Sequence, residues 1–263
     1  MQRRTRAGGW QAVFMALGYG LVILPGLVIP TAVISNWVIS GMQAGMAWHG
    51  LAEQIGHTLY YTGVGALLTL AAALVMAWFV GRASGGKVLF EYGVYLTSGL
   101  PGILIAVGIF YVLLAMKSSG HEEGQGFAVM LEHTGIFLLL GYVMRFLSEG
   151  YAALKPGVVA LDRRVEEAAR TLGASSLRRF TKVSFPALRP SIVAGGVLLT
   201  VAIAKELPIT LLLTPLGEQT LAYRIFDAQQ EGALPESGVP ALLLLSMVFL
   251  VQIGLRRGEE RNA

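Results

Sequence analysis

Apolar residues fall in long unbroken runs along this chain, and polar residues gather between them. No Asp, Glu, Lys or Arg occurs between Ala7 and Ala52. A helix needs about 20 consecutive apolar residues to cross the hydrocarbon core of a bilayer. Backbone groups inside lipid must be satisfied within the segment, which favours helices. The runs do not alternate apolar with polar, as the strands of a membrane barrel do. The pattern therefore predicts six spans, over roughly 13–38, 58–80, 92–115, 128–147, 190–214 and 238–255. The fourth carries Glu132 and His133 near its start. The expected fold class is an all-α membrane protein, with residues 1–263 as a single transmembrane domain.

Composition supports this class. Of 263 residues, 54% are hydrophobic and 14% charged, too little polar surface for a soluble domain of this length. With no cysteine, disulfide and thiol chemistry are excluded. Arg3, Arg4 and Arg6 precede the first run as they do in a signal peptide. That run is too long and lacks a small-residue cleavage site, so it is expected to remain as the first span. A formal charge of +4 is not a nucleic-acid signal, and nucleic acid is not an expected partner.

Charge placement says more than net charge, because Lys and Arg concentrate on the inner side of a membrane. With the N-terminus inside, Lys117 and Arg224 fall outside, Arg145 and Lys205 fall within spans, and the other sixteen of twenty basic residues lie inside. Both termini are expected in the cytoplasm. So is the largest loop, about residues 149–189.

That loop contains EEAARTLGASSLRRFTKVSFPALRP, residues 166–190. Asp162 is placed to cap a helix. Val165, Ala168, Ala169 and Leu172 follow at i, i+3, i+4 and i+7 and make one apolar stripe. Gly173 suits the left-handed residue that ends a helix. Ser175 can cap a second short helix through Leu177, Phe180 and Thr181, and Pro186 and Pro190 are expected to break the chain before the fifth span. By spacing alone, the loop suits two roles: an amphipathic helix on lipid headgroups or a docking element for a partner's groove.

Glu167-Ala168-Ala169, three residues, Gly173, nine residues, then Val183-Ser184-Phe185-Pro186 resembles the EAA motif of binding-protein-dependent ABC importer permeases. The family pattern ends in Ile-x-Leu-Pro; Val183 and Phe185 are mild departures. The resemblance implies that this loop is the coupling helix region, which docks on a cytoplasmic ATPase. Glu167, Ala168, Ala169, Gly173, Val183 and Pro186 are the coupling residues it implies.

Gly81 to Val88, GRASGGKV, nearly spells a P-loop. A P-loop needs a Ser or Thr hydroxyl for magnesium where Val88 stands, and a strand before it. The segment instead links two predicted spans. ATP and magnesium are therefore expected on another chain, with no cofactor bound by this one and no catalytic residues.

Lys205 and Glu206 interrupt the fifth span, and Pro208 favours a kink there. Ionisable residues at such depth usually face protein or a water-filled path. Lys205, Glu206 and Pro208 are candidates for the translocation path, against the alternative of polar groups satisfied between packed helices. His49, His57, His121 and His133 lie near outer loops beside Glu53, Glu122, Glu123 and Glu132, without dense ligand spacing, so no metal site is expected.

SGLPGILIAVGIFYVLL, KELPITLLLTP and EGALPESGVPALLLL look like the carboxy-terminal half of ferric-iron-type permeases. Those proteins usually fuse two six-span halves, and this chain has about half that length. The resemblance implies the type I importer architecture in a bacterial inner membrane. It pairs this chain with a second permease copy or a different permease chain, two ATPase subunits, an extracytoplasmic solute-binding protein and membrane lipid. Ferric iron is the expected cargo; phosphonate, thiamine, polyamine and sulfate are alternatives. A secondary transporter needs no docking loop.

Overall fold

A computed structural model describes residues 9–82, 85–118 and 122–262. Arg3, Arg4, Arg6, Ser84 and His121 lie outside the described residues, as do the side chains of Glu122, Glu123 and Arg163. Among the described residues all regular structure is helical. The order is α1 (Gly9–Gln43), α2 (Leu51–Arg82), α3 (Lys87–Gly99), α4 (Gly102–Lys117), α5 (Glu122–His133), α6 (Ile136–Val159), α7 (Arg163–Thr171) and α8 (Ser176–Arg179). A π turn over Phe180–Ser184 then leads into α9 (Phe185–Ala204), α10 (Pro208–Leu213), α11 (Leu221–Gln230) and α12 (Leu234–Asn262). Among the described residues five helices are long and apolar enough to cross a membrane, or six if α3 and α4 form one bent span.

The third, fourth and fifth spans depart most from the pattern-based expectation. The third span, expected over 92–115, is two helices bent by 95°. Pro101 causes this: the residue before a proline is pushed out of the helical region, and Leu100 is extended at φ −85, ψ 122. The fourth span runs over 136–159 instead of 128–147, with α5 a separate helix. Glu132 belongs to α5 and pairs with Lys117. The span carries its own charges onward, because Arg145 and Glu149 pair one turn apart at 3.0 Å and Lys155 meets Glu91 of α3 at 2.9 Å.

The fifth span corrects the largest expectation. Pro186 and Pro190 do not break the chain, and helix continues from Ser176 to Ala204. The wide turn at Phe180–Ser184 rearranges the hydrogen bonding just where Pro186 lacks a donor, and Pro186 falls in the first turn of α9, where no donor is required. The loop expected over about 149–189 thus shrinks to the segment between Val159 and Ser176. Pro208 does interrupt the span: α9 stops at Ala204 and α10 begins at Pro208. The sixth span, expected over 238–255, lies inside the longer α12.

The described residues form two compact units. One comprises the chain up to His49 with Ile225–Leu243; the other comprises Gly50–Arg224 with the chain from Leu244. In the first, α1 is apolar and exposed over its N-terminal half, as suits a helix facing lipid, while Val38 and Gly41 near its end lie against Gly238 and Pro235 of α12. In the second, α2, α6 and α9 pack together. One core layer centres on Leu138, Tyr142, Leu199, Ile203 and Ile209. A second centres on Ala73, Tyr151, Leu154 and Leu188. Lipid tails are as apolar as leucine, so such helices associate through close packing of small residues. Gly150 of α6 lies so near α2 that an added Cβ would sit 2.9 Å from the Ala73 Cβ.

Candidate functional site

The segment between α6 and α9 forms an arm of two short helices. The Asp162 carboxylate accepts from the Arg164 amide at 2.9 Å and caps α7. The Ser175 hydroxyl accepts from the Arg178 amide and caps α8. Both caps lie where the sequence placed them. Between them Gly173 has φ +78. Its amide donates to the Arg170 carbonyl at 3.0 Å, and the Ala174 amide donates to the Ala169 carbonyl at 3.0 Å. This is the paired closure that a left-handed residue permits at a helix end. It explains the spacing of Ala169 and Gly173: one supplies the acceptor and the other the backbone conformation.

The arm turns its apolar residues outward. Leu172 is 88% exposed, Leu177 74% and Val165 50%. Glu167 and Ala168 are exposed too, while Ala169 is half-buried. The stripe therefore has no covering within this chain among the described residues. Val183 sits half-buried in the π turn, and Pro186 is exposed in the first turn of α9.

Glu166, beside the motif, does the opposite. Its carboxylate points inward, where it accepts from the Ser184 hydroxyl at 2.7 Å and from the Arg82 guanidinium at the end of α2. Burial would raise its pKa. The Ser184 and Arg82 hydrogen bonds, with the fields of Arg82 and Arg179, outweigh that and hold the carboxyl below the usual carboxylate range. The contact therefore persists at neutral pH and is lost only as pH falls through this depressed value. The sequence reading missed Glu166, because its partners lie 84 residues before it and 18 after it.

Lys205 and Glu206 part company at the break between α9 and α10. Lys205 is exposed, whereas Glu206 is half-buried. The Glu206 carboxylate faces the Ile209 amide at 3.4 Å, and its carbonyl accepts from the Thr210 hydroxyl at 2.6 Å. Thr210 in turn shares a 2.7 Å hydrogen bond with Tyr142 of α6. A Cβ on Gly102, the first residue of α4, would lie 2.6 Å from the Glu206 Oε1. The two proline-broken spans therefore meet at Glu206, and Pro208 opens α10 beside it. His57 lies apart from this, with its ring 3.2 Å from the Gln219 carbonyl.

The near-P-loop segment joins two helices. Gly81 and Arg82 end α2, Gly86 has φ +72, and Lys87 begins α3.

Residues 69–256 match the family described as binding-protein-dependent transport system inner membrane component. The chain is 25% identical over 260 residues to the Fe(3+)-transport system permease protein FbpB 2 of Haemophilus influenzae, covering 94% of this chain and 49% of that one. It thus spans about half the length of that relative. It is 24% identical to the putrescine transport system permease protein PotI of Escherichia coli, covering 92% of this chain and 88% of the relative. A putative 2-aminoethylphosphonate transport system permease protein, PhnV of Salmonella paratyphi A, is 23% identical, covering 95% and 91%. Among solved structures, a chain of a bacterial alginate ABC transporter, crystallised with an alginate pentasaccharide-bound periplasmic protein, superposes with a TM-score of 0.70 at 12% identity, covering 96% of this chain and 94% of that one.

Proposed function

Since the chain belongs to the family of binding-protein-dependent transport system inner membrane components, we propose that it is the membrane-spanning subunit of an ATP-driven importer and that the arm of α7 and α8 docks on a partner ATPase. Its fold is that of a type I importer permease. The observation that carries the docking reading is the outward stripe of Val165, Leu172 and Leu177 on capped, rigidly closed helices. Apolar side chains held outward on a fixed frame fit a groove on another protein. ATP and magnesium belong to that partner. Two ATPase subunits, a second permease unit and an extracytoplasmic solute-binding protein complete the assembly.

Leu172→Glu and Leu177→Glu are each expected to reduce the ATPase recovered with the purified permease at least tenfold. Burying an unpaired carboxylate in an apolar groove costs several kcal/mol, and each 1.4 kcal/mol is a factor of ten. Membrane abundance should not change, since both side chains are exposed. Undiminished recovery would remove the docking reading.

The same reading puts the arm in the cytoplasm. A cysteine at Ser176 should resist an impermeant thiol reagent in intact cells, while one at Leu216, exposed in the loop between α10 and α11, should react. The opposite pattern reverses the topology.

For the cargo we propose ferric iron, on the likeness to the FbpB 2 permease. PotI and PhnV are about as similar, so an organic amine or an aminophosphonate is the rival cargo. Glu206, at the meeting of the broken spans, gives a path there a carboxylate suited to passing cations. Cells starved of iron and lacking other importers are expected to take up radiolabelled ferric iron only with this gene, and Glu206→Gln should lower uptake at unchanged protein level. Uptake independent of the gene would sink the iron assignment.

A further inference from the structure

The arm runs on as helix into α9, and Glu166 is the point where it is fastened to α2. The α7 helix has nine residues, too few to be stable alone, and its apolar side chains face outward. It packs on α8 and the π turn, and what ties it to α2 is one carboxylate with donors from two other elements: Arg82 at the end of α2 and Ser184 in the π turn before α9. Arg82 is itself backed by Trp78, with the guanidinium 3.2 Å from the ring centroid. The Trp78 ring then meets Phe180 of the π turn edge-on at 5.1 Å. The contacts close a ring: Trp78 and Arg82 on α2, Glu166 on α7, Ser184 and Phe180 on the π turn. Ser184 is fully buried, and the Glu166 side chain is 20% exposed. A surface ion pair contributes little alone; here a buried hydroxyl and an aromatic backing fix its geometry.

We propose that Glu166 is a positioning residue that makes the arm and the inner end of α2 move as one body. A displacement of the docked stripe then passes to α2 through Arg82 and to α9 through Ser184, instead of being absorbed at the short link 160–162. Glu167 and the apolar stripe take the partner; Glu166 carries its motion inward. This rests on the docking reading. Packed and hydrogen-bonded connections of this kind carry energetic coupling between sites, and coupling is shown by measurement rather than by proximity.

The chain has no cysteine, so spin labels can be placed at will. One goes on Arg164→Cys in α7 and one on Val75→Cys in α2, both exposed. The permease is purified with its ATPase in lipid nanodiscs, and the label separation is measured by pulsed electron resonance without nucleotide and after trapping with ATP and vanadate. The otherwise wild-type complex is expected to show one narrow separation in both states. With Glu166→Gln the separation should broaden and shift on trapping, while ATPase recovery, hydrolysis rate and melting temperature stay as in wild type. Ser184→Ala, which keeps the ion pair, should broaden it less. A separation in Glu166→Gln that stays single and unmoved overturns the inference, as does a variant that sheds its ATPase or melts early. If the otherwise wild-type chain retains no ATPase, the docking reading falls and takes this inference with it.

Discussion

Gly173→Val is expected to leave membrane insertion intact and to reduce the recovered ATPase about tenfold, with transport falling in step. The cause is backbone conformation. Gly173 has φ +78, and nothing lies within 4 Å of an added Cβ, so no clash is involved. An L-residue forced left-handed costs about 1–2 kcal/mol, and a β-branched one is an outlier there. About 1.4 kcal/mol shifts an equilibrium tenfold. A helix as short as α7 has little to set against that cost, and relief comes by opening the Ala174–Ala169 and Gly173–Arg170 closure. Gly173→Asn should stay near wild type, because asparagine tolerates this region. The measurement is ATPase recovered per permease in detergent, beside permease abundance in membranes. Full recovery with valine and loss with asparagine would refute the conformational explanation.

Gly150→Leu is expected to fail earlier, at folding. An added Cβ at Gly150 would lie 2.9 Å from the Ala73 Cβ and 3.4 Å from the Leu199 Cδ1, and leucine brings three more carbons to the same place. The neighbours are a methyl fixed to the α2 backbone and a fully buried leucine, so the helices themselves must separate. Overpacking of this kind costs typically about 1–3 kcal/mol, occasionally more, against a total stability of only about 5–15 kcal/mol. The folded fraction surviving extraction in mild detergent should fall severalfold. Gly63→Leu on the same α2 helix serves as the comparison, since nothing lies within 4 Å of its added Cβ, and it should extract normally. Equal yields from the two variants would show that the α2–α6 contact is not limiting.

The arm was legible in the sequence because its determinants are local. Asp162, Gly173 and Ser175 act on amides and carbonyls a few positions away, so spacing is enough to place them. The membrane class was legible for a similar reason, since lipid imposes long apolar runs. What escaped were features settled at long range or by exceptions to a rule. Pro186 and Pro190 read as breakers, yet the wide turn places Pro186 in the first turn of α9 and the helix runs on through Pro190. The expected fourth span stops at 147, short of Glu149, although Arg145 one turn earlier compensates that carboxylate. Pro101 was passed over inside an apolar run, and it divides that run in two. Glu166 falls outside both the apolar stripe and the motif, and nothing in its own neighbourhood announces Arg82.

The π turn at Phe180–Ser184 also sets an angle. One residue of an α-helix subtends about 100° around the axis, and a wide turn holds one residue more than a regular turn. That single extra residue therefore fixes the azimuth of the arm relative to the face of α9 that packs on α2 and α6. Leu177 points outward while Leu188, on the other side of the turn, is wholly buried. The helix thus works as a shaft with a built-in phase offset: its two ends face different surroundings without a joint between them.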